Sequence, residues 1–402
     1  MGNIVSQIDK LGRTTNYTYD AVDRQTQRTD ALGHGTTYTY DAAGNRIQVA
    51  DALGQTTKYV YDSLNRQTQV IDALGQISRT SYDSVGNAIS ITDKLGRVTN
   101  YGYDALNRLS TAIDPLSQQK SIGYDAVGNI ISTTDKLGRV TSVGYDALDR
   151  QTSTTNALGQ ISRISYDSVG NAIASTDALG RVTNYGYDAL DRLITTTDSL
   201  SQQTRIGYDL AGNIISSTDK LGAVISFGYD ALNRKISTTD PLGLTNTRTY
   251  DKVGNVTKIT DALGSQTQFV YDALDRQTRQ IDALGGTTDT TYNFVGNVTA
   301  ITDSVGNRNT YTYDALNRQI TDTNQSGKAR TFSYDAVGNQ VQKIDRNGRS
   351  ISYSYDALDR EISENWLNTS NAIIKTFAST YDAVGHLLTS TDPDSKYTYR
   401  LK

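Results

Sequence analysis

Residues 61–81 read YDSLNRQTQVIDALGQISRTS, and the same 21-residue sentence is repeated along the chain. It contains two punctuation marks, Tyr61 to Arg66 and Asp72 to Gly75. Each sets an Asp three positions before a Gly, Asn or Asp. An Asp at the first position of a turn accepts backbone N–H bonds, and a Gly, Asn or Asp three residues later tolerates positive φ. That combination suits a type I turn followed by a bulge. Between the marks lie stretches of six or seven residues rich in Thr, Tyr, Ile, Val and Gln, which is strand length and strand composition. The unit therefore reads as a β-hairpin with a tight corner at each end.

The period is read from the tyrosine. It recurs every 21 residues at Tyr19, Tyr40, Tyr61, Tyr82, Tyr103, Tyr124, Tyr145, Tyr166, Tyr187, Tyr208, Tyr229, Tyr250, Tyr271, Tyr292, Tyr313, Tyr334 and Tyr355, and once more at Tyr381, 26 residues on. Asp follows each of them except Tyr292, which precedes Asn293. Positions below are counted from this tyrosine as zero, so Asp72 and Gly75 stand at +11 and +14. The first mark alternates: Asp23-Arg24 is followed by Gly44-Asn45, then Asn65-Arg66, and so on to Asp359-Arg360, which makes a superperiod of 42. Longer echoes, SYDSVGNAI at Ser81 and Ser165 and LSQQ at Leu116 and Leu200, lie 84 residues apart and point to block duplication within the array.

Aromatic residues often stand two before the repeat tyrosine, as Tyr17, Tyr38, Tyr59 and Tyr311 do, and apolar ones fall at +7 and +9, as Ile47 with Val49 and Ile89 with Ile91. A spacing of two places side chains on one face of a strand. A helical reading fails, because Gly or Asn interrupts every ten residues or so and no 3.6-residue stripe persists. The expected fold is all-β: tandem hairpins in a continuous antiparallel sheet, wound into a spiral or shell-like wall, with residues 1–402 as a single array of about 18 units. Some 36 strands at about 4.8 Å would run roughly 170 Å, so the sheet must wrap. The chain is long enough for roughly one broad turn.

Composition narrows function. With 36% hydrophobic residues in 402, the chain cannot build several large apolar cores. The net charge of -4 supplies no basic stripe to neutralise phosphates, so nucleic acid is not an expected partner. The absence of cysteine removes disulfides, thiolate nucleophiles and Cys-based metal sites. No stretch approaches 18 consecutive apolar residues, so no membrane span is expected, and residues 1–13 lack the basic and apolar regions of a signal peptide.

The Tyr-Asp-Ala mark, continued by Leu or Val, then Asn, Asp or Gly, then Arg or Asn, together with the Asp-x-Leu-Gly mark at this spacing, resembles the YD repeats of the Rhs family. That family is related to the shells of insecticidal Tc toxin components and of teneurins. The resemblance covers essentially the whole chain. It implies a hollow, spiralling β-shell, enclosure of a toxin in bacterial members, a secreted or cell-surface location, and, in teneurin relatives, adhesion; carbohydrate binding is also attributed to such repeats. Toxin-releasing members carry a core segment with a self-cleaving aspartyl site after the repeats, whereas this sequence reaches Lys402 without one. Met1-Gly2-Asn3 falls where Val127-Gly128-Asn129 stands inside a unit, so the expectation is a fragment or a split reading frame.

Repeated acidic corners invite calcium, but one Asp per corner is what hairpin geometry needs, and no calcium-loop motif accompanies it. Asp114-Pro115, Asp240-Pro241 and Asp392-Pro393 all fall at +11 and +12, where Pro suits a turn, with Asp392 of added interest because it lies nearest the end. His34 and His386 are isolated corner variants. No catalytic residue, cofactor or metal ligand is assigned. Trp366 stands in the one unit with an insertion, five residues within 364–374; it is expected either to lie exposed on a longer loop as a sugar or partner contact or to cover the end of the sheet. The tyrosines are expected to pack on their neighbours in preference to stacking on sugars. The leading expectation is a non-enzymatic shell scaffold whose partners are the rest of a larger polypeptide or an enclosed effector. The alternative is a glycan-binding or adhesive module, and exposed terminal strands leave edge-to-edge self-association open.

Overall fold

Each corner closes as its residues dictate. The computed structural model describes residues 2–392 and 395–398. In it Asp62 Oδ1 accepts the N–H groups of Leu64 and Arg66 at 2.9 and 3.0 Å, the Asn65 N–H donates to the Asp62 carbonyl at 3.0 Å, and Asn65 takes φ 59°. At the other end Asp72 holds Leu74 and Gln76 in the same way, and Gly75 takes φ 79°. The left-handed residue leaves one residue unpaired, so the register slips between Val60 and Tyr61. Asp114 and Asp240 close such corners too; Pro393 lies outside the described residues.

Thirty-eight strands form among the described residues, and no helix. The chain makes two compact units, Met1–Gln119 with Val270–Lys402, and Lys120–Phe269. Inside each, successive strands pair antiparallel as a meander, for example Thr56–Tyr61 with Gln67–Ile71 and then Ile77–Tyr82, or Val140–Tyr145 with Gln151–Thr155 and then Ile161–Tyr166. Tyr59 lies opposite Val70, and Tyr101 opposite Ala112, which puts the aromatics and the +9 residues on one face. That face is the better covered of the two: in Gly35–Tyr40, Tyr38 and Tyr40 are half-buried while Thr37 and Thr39 are exposed. Ala300 is the one fully buried apolar residue among those described. Stability therefore resides in ladders and corners, with no sandwich core.

Within the first unit Arg13 lies against Asp275 and Arg97 against Asp359, 262 residues apart in sequence, so two rows of corners meet there. One expectation is corrected: the insertion makes no longer loop. It lengthens both strands of its hairpin, Glu361–Leu367 and Ile373–Tyr381, so that Trp366 sits inside a ladder opposite Ile351 and Lys375. The extended hairpin is closed by another corner, in which Asn368 Oδ1 accepts from Ser370 and Ala372 and Asn371 takes φ 60°.

Candidate functional site

The tyrosine ladder is tied to backbone. Along the ladder the repeat hydroxyl donates to the carbonyl 15 residues upstream, as in Tyr19 to Ile4, Tyr40 to Gln25, Tyr82 to Gln67, Tyr208 to Leu193, Tyr334 to Gln319 and Tyr355 to Gln340, at 2.8 to 2.9 Å. At the extended hairpin the step becomes 20, from Tyr381 to Glu361. A phenol held this way spaces one hairpin from the next.

The 42-residue superperiod has a physical basis. In Asn-Arg and Asp-Arg hairpins the arginine reaches forward: Arg318 bonds its own Asp314 at 2.7 Å, donates to the Asp335 carbonyl at 2.8 Å and lies 4.8 Å over the Tyr334 ring. Arg24 with Tyr40, Arg150 with Tyr166 and Arg360 with Tyr381 repeat the clamp. In Gly-Asn hairpins the asparagine reaches forward instead. Asn45 Nδ2 donates to Asp41 and to Asn65 Oδ1 of the next hairpin, and Asn129 likewise to Asp149. Alternate hairpins thus clasp their successors by two different hands.

These contacts polarise the corner carboxylates. The Arg24 backbone N–H, opposed by partial burial and aided by the Arg24 guanidinium, holds Asp20 below the usual carboxylate range. For Asp359 the Arg97 guanidinium is the chief cause of lowering, with burial opposing and Asn339 assisting. Among the described residues no three His, Asp or Glu side chains converge as a metal ligand set.

The structure's most specialised surface lies in the first unit, where the second corners of residues 1–119 face the first corners of residues 270–402. Arg13 keeps its own Asp9 and adds a two-nitrogen contact to Asp275, at 2.9 and 3.1 Å; Arg97 keeps Asp93 and adds Asp359 at the same distances. Paired nitrogens on one carboxylate give direction as well as charge. Between these pairs His34, bonded to Asp30, stacks on Phe294 at 4.7 Å. Ala31, Ala273, Leu274 and Asp275 line one common cleft, and Ala52, Leu274, Phe294 and Val295 line another. Leu32 and Leu53 are 42% exposed here, whereas Leu200 and Leu242, at the same repeat position in the second unit, are 76% and 84% exposed.

This seam was not anticipated from the sequence, yet a signal for it was present. Arg occurs at +15 five times, at Arg13, Arg97, Arg139, Arg181 and Arg349, always in a hairpin whose first corner ends Gly-Asn. A step of 262 is thirteen repeats less the eleven positions separating +15 from +4. Thirteen is odd, so such an Arg always faces an Asp-Arg or Asn-Arg hairpin.

Trp366 packs on Phe377 at 5.8 Å, donates Nε1–H to Glu364 and lies 5.9 Å from Lys375 Nζ. It borders a cleft of about 140 Å³ with Arg349, Ile351, Leu367 and Ile374. That is below the roughly 300–1,000 Å³ usual for ligand pockets.

The family described as RHS Repeat matches residues 2–35, 25–52, 40–77, 82–119, 124–161, 166–203, 208–245, 250–287 and 334–365. The chain belongs to the RHS repeat family. Comparison with curated protein sequences finds no match. Among solved structures, RHS-repeat residues of this chain superpose on the crystal structure of TcdB2-TccC3-Cdc42 with a TM-score of 0.60, at 16% identity over 96% of this chain. A Tc holotoxin pore of Photorhabdus luminescens gives 0.61, also at 16% identity over 96%. The chain spans about a quarter, 26%, of each of those chains. At that identity the likeness is one of fold.

Proposed function

We propose that this RHS-repeat chain is a non-enzymatic wall segment of a larger, exported Rhs-type shell, and that the wall encloses or displays a toxin or effector polypeptide used against other cells. The observation that carries the reading is the seam: a sheet whose corner rows mate with one another by directed ion pairs is built to make a continuous wall. Support comes also from the family match and from similar structures that are themselves toxin assemblies, TcdB2-TccC3 with Cdc42 and a Tc holotoxin pore. Eighteen near-equivalent hairpins offer no unique catalytic pocket, which favours a structural role over an enzymatic one.

Trp366 is assigned as a contact for the adjoining polypeptide, since it borders a small apolar cleft in the one hairpin that departs from the repeat. A glycan-binding reading has less support, because the ladder hydroxyls are bonded to backbone and the Trp366 cleft is small. The test is limited proteolysis of the native product of the locus. The polypeptide encoded beside the array is expected to resist cleavage, and to lose that resistance when Arg13→Asp and Arg97→Asp open the seam. Equal cleavage in both states would overturn enclosure.

A further inference from the structure

Within residues 270–402 the sheet face that carries the tyrosines gathers charge in one place. Three hairpins running have a charged residue at +9, Asp322, Lys343 and Glu364, where the rest of the array has one, Arg28. Asp322 is 9% exposed and lies opposite Arg330. It takes two guanidiniums, Arg346 Nη2 at 2.6 Å and Arg330 Nη1 at 3.4 Å. The Nε–H groups of both arginines are buried and find no acceptor among the described residues, so the pair is under-bonded. Beside it runs a straight row of directly opposed residues, one from each of five strands. Phe332 faces Lys343, Lys343 faces Ile351, Ile351 faces Trp366, and Trp366 faces Lys375. Lys375 Nζ lies 5.9 Å from the Trp366 ring, and neither lysine has a carboxylate within ion-pair distance among the described residues.

We propose that this row docks an acidic stretch of the polypeptide adjoining the array. The stretch lies extended across the strands, with one carboxylate on Lys343, another on Lys375, and an apolar side chain between them over Ile351 and Trp366. Charge complementarity selects that occupant. Arg330, Lys343, Arg346 and Lys375 outnumber Asp322 and Glu364 on this face, although the whole chain carries a net charge of -4. Both carboxylates are engaged, Asp322 by the two arginines and Glu364 by the Trp366 indole. Spacing sets the pattern of the stretch. Lys343 and Lys375 are three strand separations apart, about 14 Å at about 4.8 Å each. An extended chain advances about 3.4 Å per residue and puts every second side chain on one face, so four residues cover the same span. The stretch therefore reads acid-x-apolar-x-acid. No such run occurs among the 402 residues, whose corners read Asp-x-x-Gly, Asp-x-x-Asn or Asp-x-x-Asp, so neither another copy nor more repeats of this kind supply it. Corners mate with corners in the seam, whereas this row lies on a sheet face within the strands.

The proposal rests on the wall reading and gives the neighbour a chemistry. Trp366 is the only tryptophan, so its fluorescence reads the row directly. Titrating the full chain with acetyl-Glu-Ser-Leu-Ser-Glu-amide is expected to shift Trp366 emission saturably. Binding is expected to be about tenfold or more tighter than that of acetyl-Lys-Ser-Leu-Ser-Lys-amide, since facing like charges repel. It should also exceed that of acetyl-Glu-Glu-Leu-Ser-Ser-amide, which keeps the charge and loses the spacing. Lys343→Glu with Lys375→Glu is expected to invert the preference between the first two peptides. Circular dichroism keeps a folding defect apart from a docking defect, and Lys343→Gln with Lys375→Gln, expected to weaken the acidic peptide alone, serves where the reversal impairs folding. A neutral oligosaccharide, maltoheptaose, is expected to leave the emission unchanged. No saturable shift with the acidic peptide, equal responses to all three peptides, or a response to maltoheptaose alone would overturn the proposal. Such a failure leaves the wall reading standing while the adjoining polypeptide still resists protease; loss of that resistance with peptide binding intact would remove the wall reading and keep the acid-binding row.

Discussion

The second corners of residues 1–119 and those of the unit 120–269 are written in the same code, Asp-x-Leu-Gly followed in places by Arg, yet they meet different surroundings. In the first set Leu32 and Leu53 are half-covered and Arg13 and Arg97 reach across to Asp275 and Asp359. In the second set Leu200 and Leu242 stand open, Leu137 alone being as covered as Leu32, and Arg139 and Arg181 bond only Asp135 and Asp177 among the described residues. A repeat motif therefore fixes how a corner folds, while what the corner does depends on whether another row lies within reach.

The sharpest way to break that contrast is to reverse charge on both sides of it. Arg13→Asp with Arg97→Asp faces carboxylate with carboxylate; because Asp275 and Asp359 are nearly half exposed, the loss is discounted to about 2–4 kcal/mol in urea unfolding. Arg139→Asp with Arg181→Asp, measured where the chain is monomeric, is expected within about 0.5 kcal/mol of the parent. Equal losses would show that own-corner pairs, present at all four arginines, dominate.

Next is the clamp between hairpins. Arg318→Ala removes an ion pair, a bond to the Asp335 carbonyl and a cation over Tyr334, and is expected to cost about 1–3 kcal/mol. Tyr334→Phe, which leaves the ring and deletes only the donor to Gln319, is expected to cost about 0.5–1.5 kcal/mol. Chemical unfolding of both, with the double variant, reads their coupling; additive losses would show that clamp and hydroxyl act independently.

Smaller again is the corner itself. Gly75→Ala, at φ 79° with open space around the new Cβ, is expected to cost about 1 kcal/mol from backbone strain alone, and Gly75→Asn less.

The pH response spreads over the whole molecule and is weakest per site. Corner Asp residues such as Asp20 and Asp359 have folded pKa values lowered beneath the unfolded value. Their contribution is complete above the unfolded carboxylate range, about pH 4, and is lost as pH falls through the lower folded values. Thermal melts should thus be level from neutral pH to about pH 5 and fall below pH 4. A fall beginning near neutral pH would contradict this assignment to the corner carboxylates.

Much of this was legible because it is local. Asp62 to Asn65 and Asp72 to Gly75 carry their turn geometry in four residues, and the Tyr59–Tyr61 spacing puts both rings on one face. The alternation of Arg66 and Asn45 was visible as a pattern, but its cause lies in contacts with the next hairpin. The insertion around Trp366 reads as a longer loop by its length, but Asn368 to Asn371 is itself a corner, with Asn in both roles, so Trp366 lies in the strand before it. The seam was out of reach for a different reason. Which corner rows come to lie against each other is set by twist accumulated over many strands, and no single residue encodes it. Only the restriction of +15 arginines to Gly-Asn hairpins hinted that something periodic lay opposite.

The mating of corner rows 262 residues apart is testable without disturbing the ion pairs because the chain has no native cysteine. Ala31 and Ala273 line the same cleft beside Arg13 and Asp275. In Ala31→Cys/Ala273→Cys a short bis-maleimide is expected to link the two thiols within one chain. Ala31→Cys/Ala357→Cys, displaced by 84 residues, should stay unlinked. Equal linking of both pairs, or of neither under native conditions, would contradict the seam.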